Sequence, residues 1–174
     1  EGVTYHGESW IDDDGTELDV PVPVRCDIMR KGDELIVDLS DNVPQRKGFI
    51  NQCYATTYGI AVGAVVLVLD PALAEFHNEG SMRAIKVIAP PGTMMNPQYP
   101  ATVGGGPAAV GATLMEAILQ ALSKALPDRS IAGAGRQRVD NIFGVDPRKD
   151  KKYMQVSFNK VGCMGAVYGF DGYQ

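Results

Sequence analysis

The longest apolar stretch, Ile60 to Leu69, sets the terms for the rest of the chain. It is about half the ~20 residues needed to cross a bilayer, so it must be buried within protein. It belongs to a longer run, Tyr54 to Leu69, that carries Ala55, Gly59, Ala61, Gly63 and Ala64. β-Branched Val62, Val65, Val66 and Val68 weaken helical propensity, but the length favours a buried helix over a single strand. Asp70-Pro71 ends it. The small residues suit helix packing and would let another backbone approach closely. A second helix is expected over Ala109 to Ala125. Its Val110, Leu114, Ala117, Ile118, Ala121, Leu122 and Ala125 share one face. With 174 residues, 45% of them apolar, the chain can bury a core around two such helices.

The strands are announced by alternation. Gly2 to Ile11 reads as the first, and Asp12-Asp13-Asp14-Gly15 as a polar hairpin tip. Further ligands at the spacing of a calcium loop are missing after these aspartates. Leu18 to Met29 is the second strand, with Val20, Val22 and Val24 alternating with Pro21, Pro23 and Arg25. Two prolines two residues apart put their missing donors on one side, so this strand lies at a sheet edge or is unpaired on that side. Lys31-Gly32-Asp33 turns the chain into a third strand, Glu34 to Leu39. Met82 to Ala89 is a fourth, stopped by Pro90-Pro91-Gly92, and residues 130–174 suggest two more, Tyr153 to Val161 and Cys163 to Phe170. The expected class is α+β: an antiparallel β-meander at the N-terminus, two main helices, and further strands toward the C-terminus.

Net charge is −5, which argues against a general nucleic-acid surface. The charge is uneven: residues 1–50 carry a net −7 and residues 51–174 a net +2. The N-terminal third thus presents a solvated acidic face, or a docking face for a basic partner. Cys26, Cys53 and Cys163 form no CxxC pair, which argues against structural zinc and fits a reducing cytoplasm. No basic segment followed by an apolar run opens the chain, and no membrane association is expected.

Chemistry is harder to place. His6 lies among polar strand residues and reads as a surface group; His77 lies in a polar loop. There is no HExxH, GxSxG or phosphate-binding GxxxxGK[ST] motif. Gly104-Gly105-Gly106, just before the second helix, could cradle an anion on unpaired N–H groups, or simply form a tight connection. The densest polar set lies in loops at strand ends. It comprises Asp38, Ser40, Gln45 and Asn51, then Asn78 and Arg83, then Asn96. Arg83 could clamp a carboxylate, and the asparagines could orient an amide or carbonyl. The same residues could equally satisfy loop backbone as Asx turns.

Longer motifs carry a resemblance. VDLSDNVPQRKGFIN at 37–51, HNEGSMRAIKVIAPPGTMMNPQYPATV at 77–103, GVDPRKDKKYMQVSF at 144–158 and GAVYGFDGY at 165–173 resemble the hydantoinase B/oxoprolinase family in order and spacing. GVTYHGESWIDDDG at 2–15 is similar to the segment that precedes them there. The resemblance covers essentially the whole chain but only a middle portion of the family's length. It implies a single domain, 1–174, that is a fragment or subunit part of a larger protein. Cys163 and Met164 stand where relatives carry a longer glycine run.

The family contains large subunits of ATP-dependent enzymes that open cyclic amides such as hydantoins, 5-oxoproline and lactams. Relatives carboxylate ketones such as acetone or acetophenone. The resemblance therefore implies a component of a cyclic-amide hydrolase in the cytoplasm, inactive alone and working in a hetero-oligomer with a hydantoinase A-type ATP-binding subunit. A ketone carboxylase subunit is the nearest alternative, and a non-catalytic assembly module the next. It implies no cofactor bound by this segment, ATP on the partner, and allows a divalent metal elsewhere in the complex. The family segment with His and Asp metal ligands has no counterpart here, so no metal ligand is assigned. The site expected is Asp38 as a base or orienting group and Arg83 as an anion clamp. Substrate contacts are expected from Gln45, Asn51, Asn78, Asn96, Gly104 and Gly105.

Overall fold

In the computed structural model, strands β1 (Thr4–Ile11), β2 (Val22–Lys31) and β3 (Glu34–Asp38) form the expected antiparallel meander. The described residues are all but 1, 70, 71, 73, 74, 134, 137, 161, 163, 164, 173 and 174; the side chains of 138, 139 and 158–160 are also left out. A fourth strand, β4 (Ile85–Ile88), joins beside β3 in parallel, giving the order β1-β2-β3-β4. Alternation divides the sheet into two faces. Val22, Val24, Cys26, Ile28, Val37 and Ile85 face inward and are buried. His6, Glu8, Arg25 and Asp27 line the other face, with His6 opposite Asp27 and Glu8 opposite Arg25.

Two helices cover the inner face. α1 (Tyr54–Leu69) has the bounds that its apolar run predicts. α3 (Ala112–Ser123) follows a π-helical turn, Pro107–Gly111, and buries Leu114, Ala117, Ile118, Ala121 and Leu122, as its periodicity requires. α3 packs on β1 and β2; α1 packs on α3 and β4. Gly7 makes the α3–β1 contact: a Cβ there would overlap the Ala117 carbonyl oxygen. Among the described residues no helix is long and apolar enough to cross a membrane.

β1 is a sheet edge, and side chains cap its outward backbone groups. Gln120 Oε1 accepts from Glu8 N at 2.8 Å, Lys124 Nζ donates to the His6 carbonyl at 2.6 Å, and Arg136 Nη1 donates to the Trp10 carbonyl at 3.0 Å. An edge so covered cannot recruit another strand.

The prolines of the second strand have a different setting from a plain edge. β2 is internal, but β3 pairs only with Asp27–Lys31, so the first half of β2 has a partner on one side only. There Asn42 stands in for a strand: its Oδ1 accepts from Arg25 N at 3.0 Å and its Nδ2 donates to Arg25 O at 2.8 Å. Pro23, two residues earlier, has its missing donor on that same open side. The strand also starts at Val22 rather than Leu18, because residues 12–19 fold into a loop around Asp14.

Two further expectations are corrected. The fourth strand begins at Ile85, not Met82, because Asn78 caps a short helix, α2 (Glu79–Met82), through reciprocal bonds with Ser81. The C-terminal strands are β5 (Arg138–Asp146) and β6 (Lys151–Lys160), a hairpin packed mainly on itself. The expected strand at Cys163 to Phe170 is not formed over its described part. Cys163 and Met164 lie outside the described residues; beyond them Gly165 N donates to Gly133 O, and Val167 makes only isolated bridges to Ile131 and Phe170.

A buried clasp ties the acidic loop to the body. Asp14 accepts from the Thr16 hydroxyl at 2.7 Å and from Glu17 N and Thr16 N at 2.8 Å each, and Arg46 Nε donates to its other oxygen at 3.0 Å. Arg46 also holds Glu17 at 2.7 Å. These donors, the Thr16 hydroxyl foremost, hold the Asp14 carboxyl well below the usual carboxylate range.

Gly7→Val should cost about 3 kcal/mol or more, since the overlap is with backbone. Gly59→Ala, where a Cβ meets open space, should instead gain about 0.5–1 kcal/mol; urea unfolding distinguishes them. A folded-state pKa below the unfolded one means that Asp14 contributes stability that is complete above about pH 5 and declines below ~4. The stability gap between wild type and Asp14→Asn should therefore shrink in acid. A gap constant with pH would contradict the clasp.

Candidate functional site

Because β3 and β4 are parallel, the loops leaving Asp38 and Ile88 emerge at one end of the sheet. Residues 39–52 and 89–106 interlock there. Gln45 N donates to Gly92 O and Gln45 Oε1 accepts from Gln98 N, at 2.8 and 2.7 Å. Asn51 is fully buried: its Oδ1 accepts from Arg46 N at 2.7 Å, and its Nδ2 donates to Arg46 O and Thr102 O at 2.8 and 2.9 Å. Asn96 Nδ2 donates to Ala89 O at 2.9 Å. Asp38 Oδ1, at the root of the loop, accepts from Ser40 N at 2.8 Å. The glycines lie against the same loop. A Cβ at Gly104 would overlap the Phe49 ring, and one at Gly105 the Phe49 carbonyl. Gly105 N already donates to Phe49 O at 2.9 Å, and Gly106 N to Val103 O at 3.2 Å. The structure thus brings Asp38, Gln45, Asn51, Asn96, Gly104 and Gly105 into one layer, where they hold backbone to backbone.

Asn78 and Arg83 lie at the other end of β4. From the register, Arg83 and Asp38 are about five residues apart along the strands, or about 16 Å. They do not form one constellation. Asn78 Oδ1 accepts from Gly80 N at 2.7 Å and its Nδ2 donates to Phe76 O at 2.9 Å. Arg83 is exposed, with Glu79 as a loose partner at 3.5 Å. It borders a groove of about 340 Å³ with Tyr54, Tyr58, Lys86 and Val87. The two tyrosine rings stand 6.3 Å apart, giving that groove an aromatic wall beside two cations.

A larger concavity, about 750 Å³, opens between β1, α3 and residues 127–136. Met115, Leu119 and Ile131 give it apolar walls. Its polar end is a fixed triplet. Ser9 Oγ donates to Glu116 Oε2 at 2.8 Å; Arg136 Nε donates to Glu116 Oε1 at 3.0 Å, and Arg136 Nη2 reaches Ser9 Oγ at 3.1 Å. Arg136, and then Ser9, lower the Glu116 pKa against the opposing effect of burial. The result is a charge-neutral polar end on an apolar cavity, suited to a small uncharged polar molecule. Sequence reasoning missed this triplet, because Ser9, Glu116 and Arg136 come from distant segments and make no local motif. The amphipathic pattern of α3 places Glu116 on its polar flank but says nothing of a partner.

Other reactive groups are dispersed. Cys53 precedes α1, where the Thr56 hydroxyl and then its N–H lower the thiol pKa. His6 Nδ1 lies 2.5 Å from Asp27 Oδ1 on the exposed sheet face, and His77 Nδ1 lies 3.0 Å from Ser81 Oγ. Among the described residues no group of three or more His, Cys, Asp or Glu side chains could hold a metal ion.

The chain is similar to known proteins over nearly all of its length. Caprolactamase subunit beta of Pseudomonas jessenii is 30% identical over 173 residues, covering 97% of this chain and 29% of that protein. The crystal structure of the ATP-dependent caprolactamase from Pseudomonas jessenii superposes with a TM-score of 0.77 at 27% identity, over 98% of this chain and 29% of that one. A nucleotide-free acetone carboxylase superposes with a TM-score of 0.72, over 93% of this chain and 24% of that one; at 18% identity it shows a shared fold. The chain therefore spans about 29% of the length of the curated relative given above. The hydantoinase B/oxoprolinase family model matches residues 1–174, and the chain belongs to that family.

Proposed function

We propose that this chain is part of the B-type component of an ATP-dependent cyclic-amide hydrolase and works with an A-type ATP-binding subunit in a hetero-oligomer. The observation that carries this reading is 30% identity to a caprolactamase subunit across 97% of the chain. ATP on the partner would supply a phosphoryl group that activates the amide oxygen as a leaving group. A cytoplasmic setting, where ATP is supplied, fits this reading. This chain's own residues contribute binding and positioning. The apolar cavity with its Ser9–Glu116–Arg136 end takes the uncharged ring, and Ser9 or Gln120 is placed to hydrogen-bond its amide. Ring opening adds water oxygen to the activated carbonyl carbon and breaks the C–N bond, leaving an amine and an acyl phosphate; a second water then releases phosphate and leaves the carboxylate. Arg83, beside Lys86 on the tyrosine groove at the opposite sheet edge, is a second, separate candidate site, a fork that would hold a carboxylate bound there. Asp38 acts at a distance from it, orienting the 39–52 loop through Ser40. Carboxylation of a ketone is the competing reading; the shared fold permits it.

The test is reconstitution with an ATP-binding subunit and assay of caprolactam and hydantoin opening with ATP. Arg83→Ala should lower kcat/KM by about 10–100-fold with folding and assembly intact, the cost of one charged hydrogen bond. Lost assembly would make the chain a structural module, and unchanged activity would remove Arg83 from the site. Product formed from acetone and bicarbonate, with none from lactams, would favour the carboxylase.

A further inference from the structure

We propose that Gln120 and Ser9 together read the polar edge of a small lactam, Gln120 donating to its carbonyl and Ser9 accepting from its N–H. The inference rests on the reading of the cavity between β1 and α3 as the ring site. It follows from the hydrogen-bonding capacity that this cavity leaves uncommitted. Glu116 and Gln120 stand one turn apart on α3 and meet consecutive residues of β1. Both Glu116 oxygens are taken by Arg136, and one of them also takes the Ser9 hydroxyl hydrogen at 2.8 Å. Arg136 Nη2 fills one lone pair of Ser9 Oγ at 3.1 Å. A hydroxyl has one hydrogen and two lone pairs, so Ser9 is left with the capacity to accept once more and not to donate. The Gln120 amide is oriented by the backbone. Glu8 N can only donate, so Oε1 must face it, at 2.8 Å. Nε2 then lies on the other side of the amide, where it can only donate. No acceptor among the described residues holds it. The cavity thus offers one donor and one acceptor beside the apolar walls of Met115, Leu119 and Ile131.

A secondary amide closed into a small ring is cis, so its C=O and N–H sit side by side on one edge. An open-chain amide is trans and presents them on opposite sides. A lactone or a cyclic ketone has the carbonyl but no N–H, and leaves Ser9 Oγ facing a group that cannot donate. A polar atom left unpaired against the ring is penalised, so the donor–acceptor pair selects the lactam. Breaking the C–N bond destroys the edge that the pair reads, so the opened chain is held less tightly than the ring.

Isothermal titration of δ-valerolactam, δ-valerolactone and cyclohexanone into the reconstituted complex, without ATP, tests this on rings of matched size. Wild type should bind the lactam about tenfold more tightly than either other ring. Gln120→Glu keeps an acceptor for Glu8 N but has no donor at neutral pH. It should weaken all three rings by about tenfold with an unchanged melting temperature. Ser9→Ala should weaken the lactam alone and bring it level with the lactone. A merely structural role for either residue would not separate the rings in this way. Equal wild-type affinity for lactam and lactone would overturn the proposal, as would a lactam preference that survives Ser9→Ala. Wild-type binding by Gln120→Glu, or no binding of any ring, would overturn it too. Adding ATP then separates this assignment from the hydrolase reading. The expected ring preference without ring opening would retain the binding roles of Ser9 and Gln120 and remove the hydrolase function.

Discussion

The close approach of α3 to β1 at Gly7 is the contact on which the rest of the body depends. With no side chain at Gly7, the Ala117 carbonyl lies directly on the strand. That approach buries one stripe of α3 against β1 and β2 and brings Gln120 and Lys124 to the edge of β1. It also fixes Glu116 beside Ser9, and so the polar end of the large cavity. Backbone packing here sets both the core and the geometry of the site. A larger residue at position 7 would lift the helix and dismantle all three.

The second organising feature is the parallel pairing of β3 and β4. It sends two long loops from the same end of the sheet, where they satisfy each other's backbone. Asn51 is the centre of that layer: a buried amide whose oxygen and nitrogen both hold loop backbone. Such a layer is rigid because its polar groups are paired, and an unpaired buried amide would be costly. The same pairing commits the polar atoms of Asn51, Gln45 and Asn96 to loop backbone. Groups open to a ligand lie elsewhere: Arg83 on its tyrosine groove, and the cavity lined by α3.

Elements whose apolar residues face the common core were legible in the sequence. α3 and the β1–β3 meander show the period of their burial, and α1 shows itself by the length of its apolar run. β5 was not legible, because Phe143 and Val145 face no core in this chain and Asp140, Asn141 and Gly144 interrupt its pattern. The Pro21 and Pro23 pair correctly marked one-sided pairing, but the partner that fills the gap, Asn42, is a side chain from 17 residues away and invisible to strand patterning. α2 was hidden because a four-residue helix depends on the Asn78–Ser81 cap and has no periodicity of its own. The candidate site divides in the same way. Loop polarity marked the layer of Gln45, Asn51 and Asn96, whereas the Ser9–Glu116–Arg136 triplet exists only after α3 docks on β1.

Under the proposed division of labour, the partner would turn over ATP and this chain would help hold the ring that the ATP opens. The most direct measurement is the coupling between the two events in the reconstituted complex. ADP release should rise when lactam is added and remain in a fixed ratio to ring-opened product. It should fall to the partner's basal rate when this chain is omitted. ATP turnover indifferent to lactam, or ring opening that proceeds without ATP, would contradict the account.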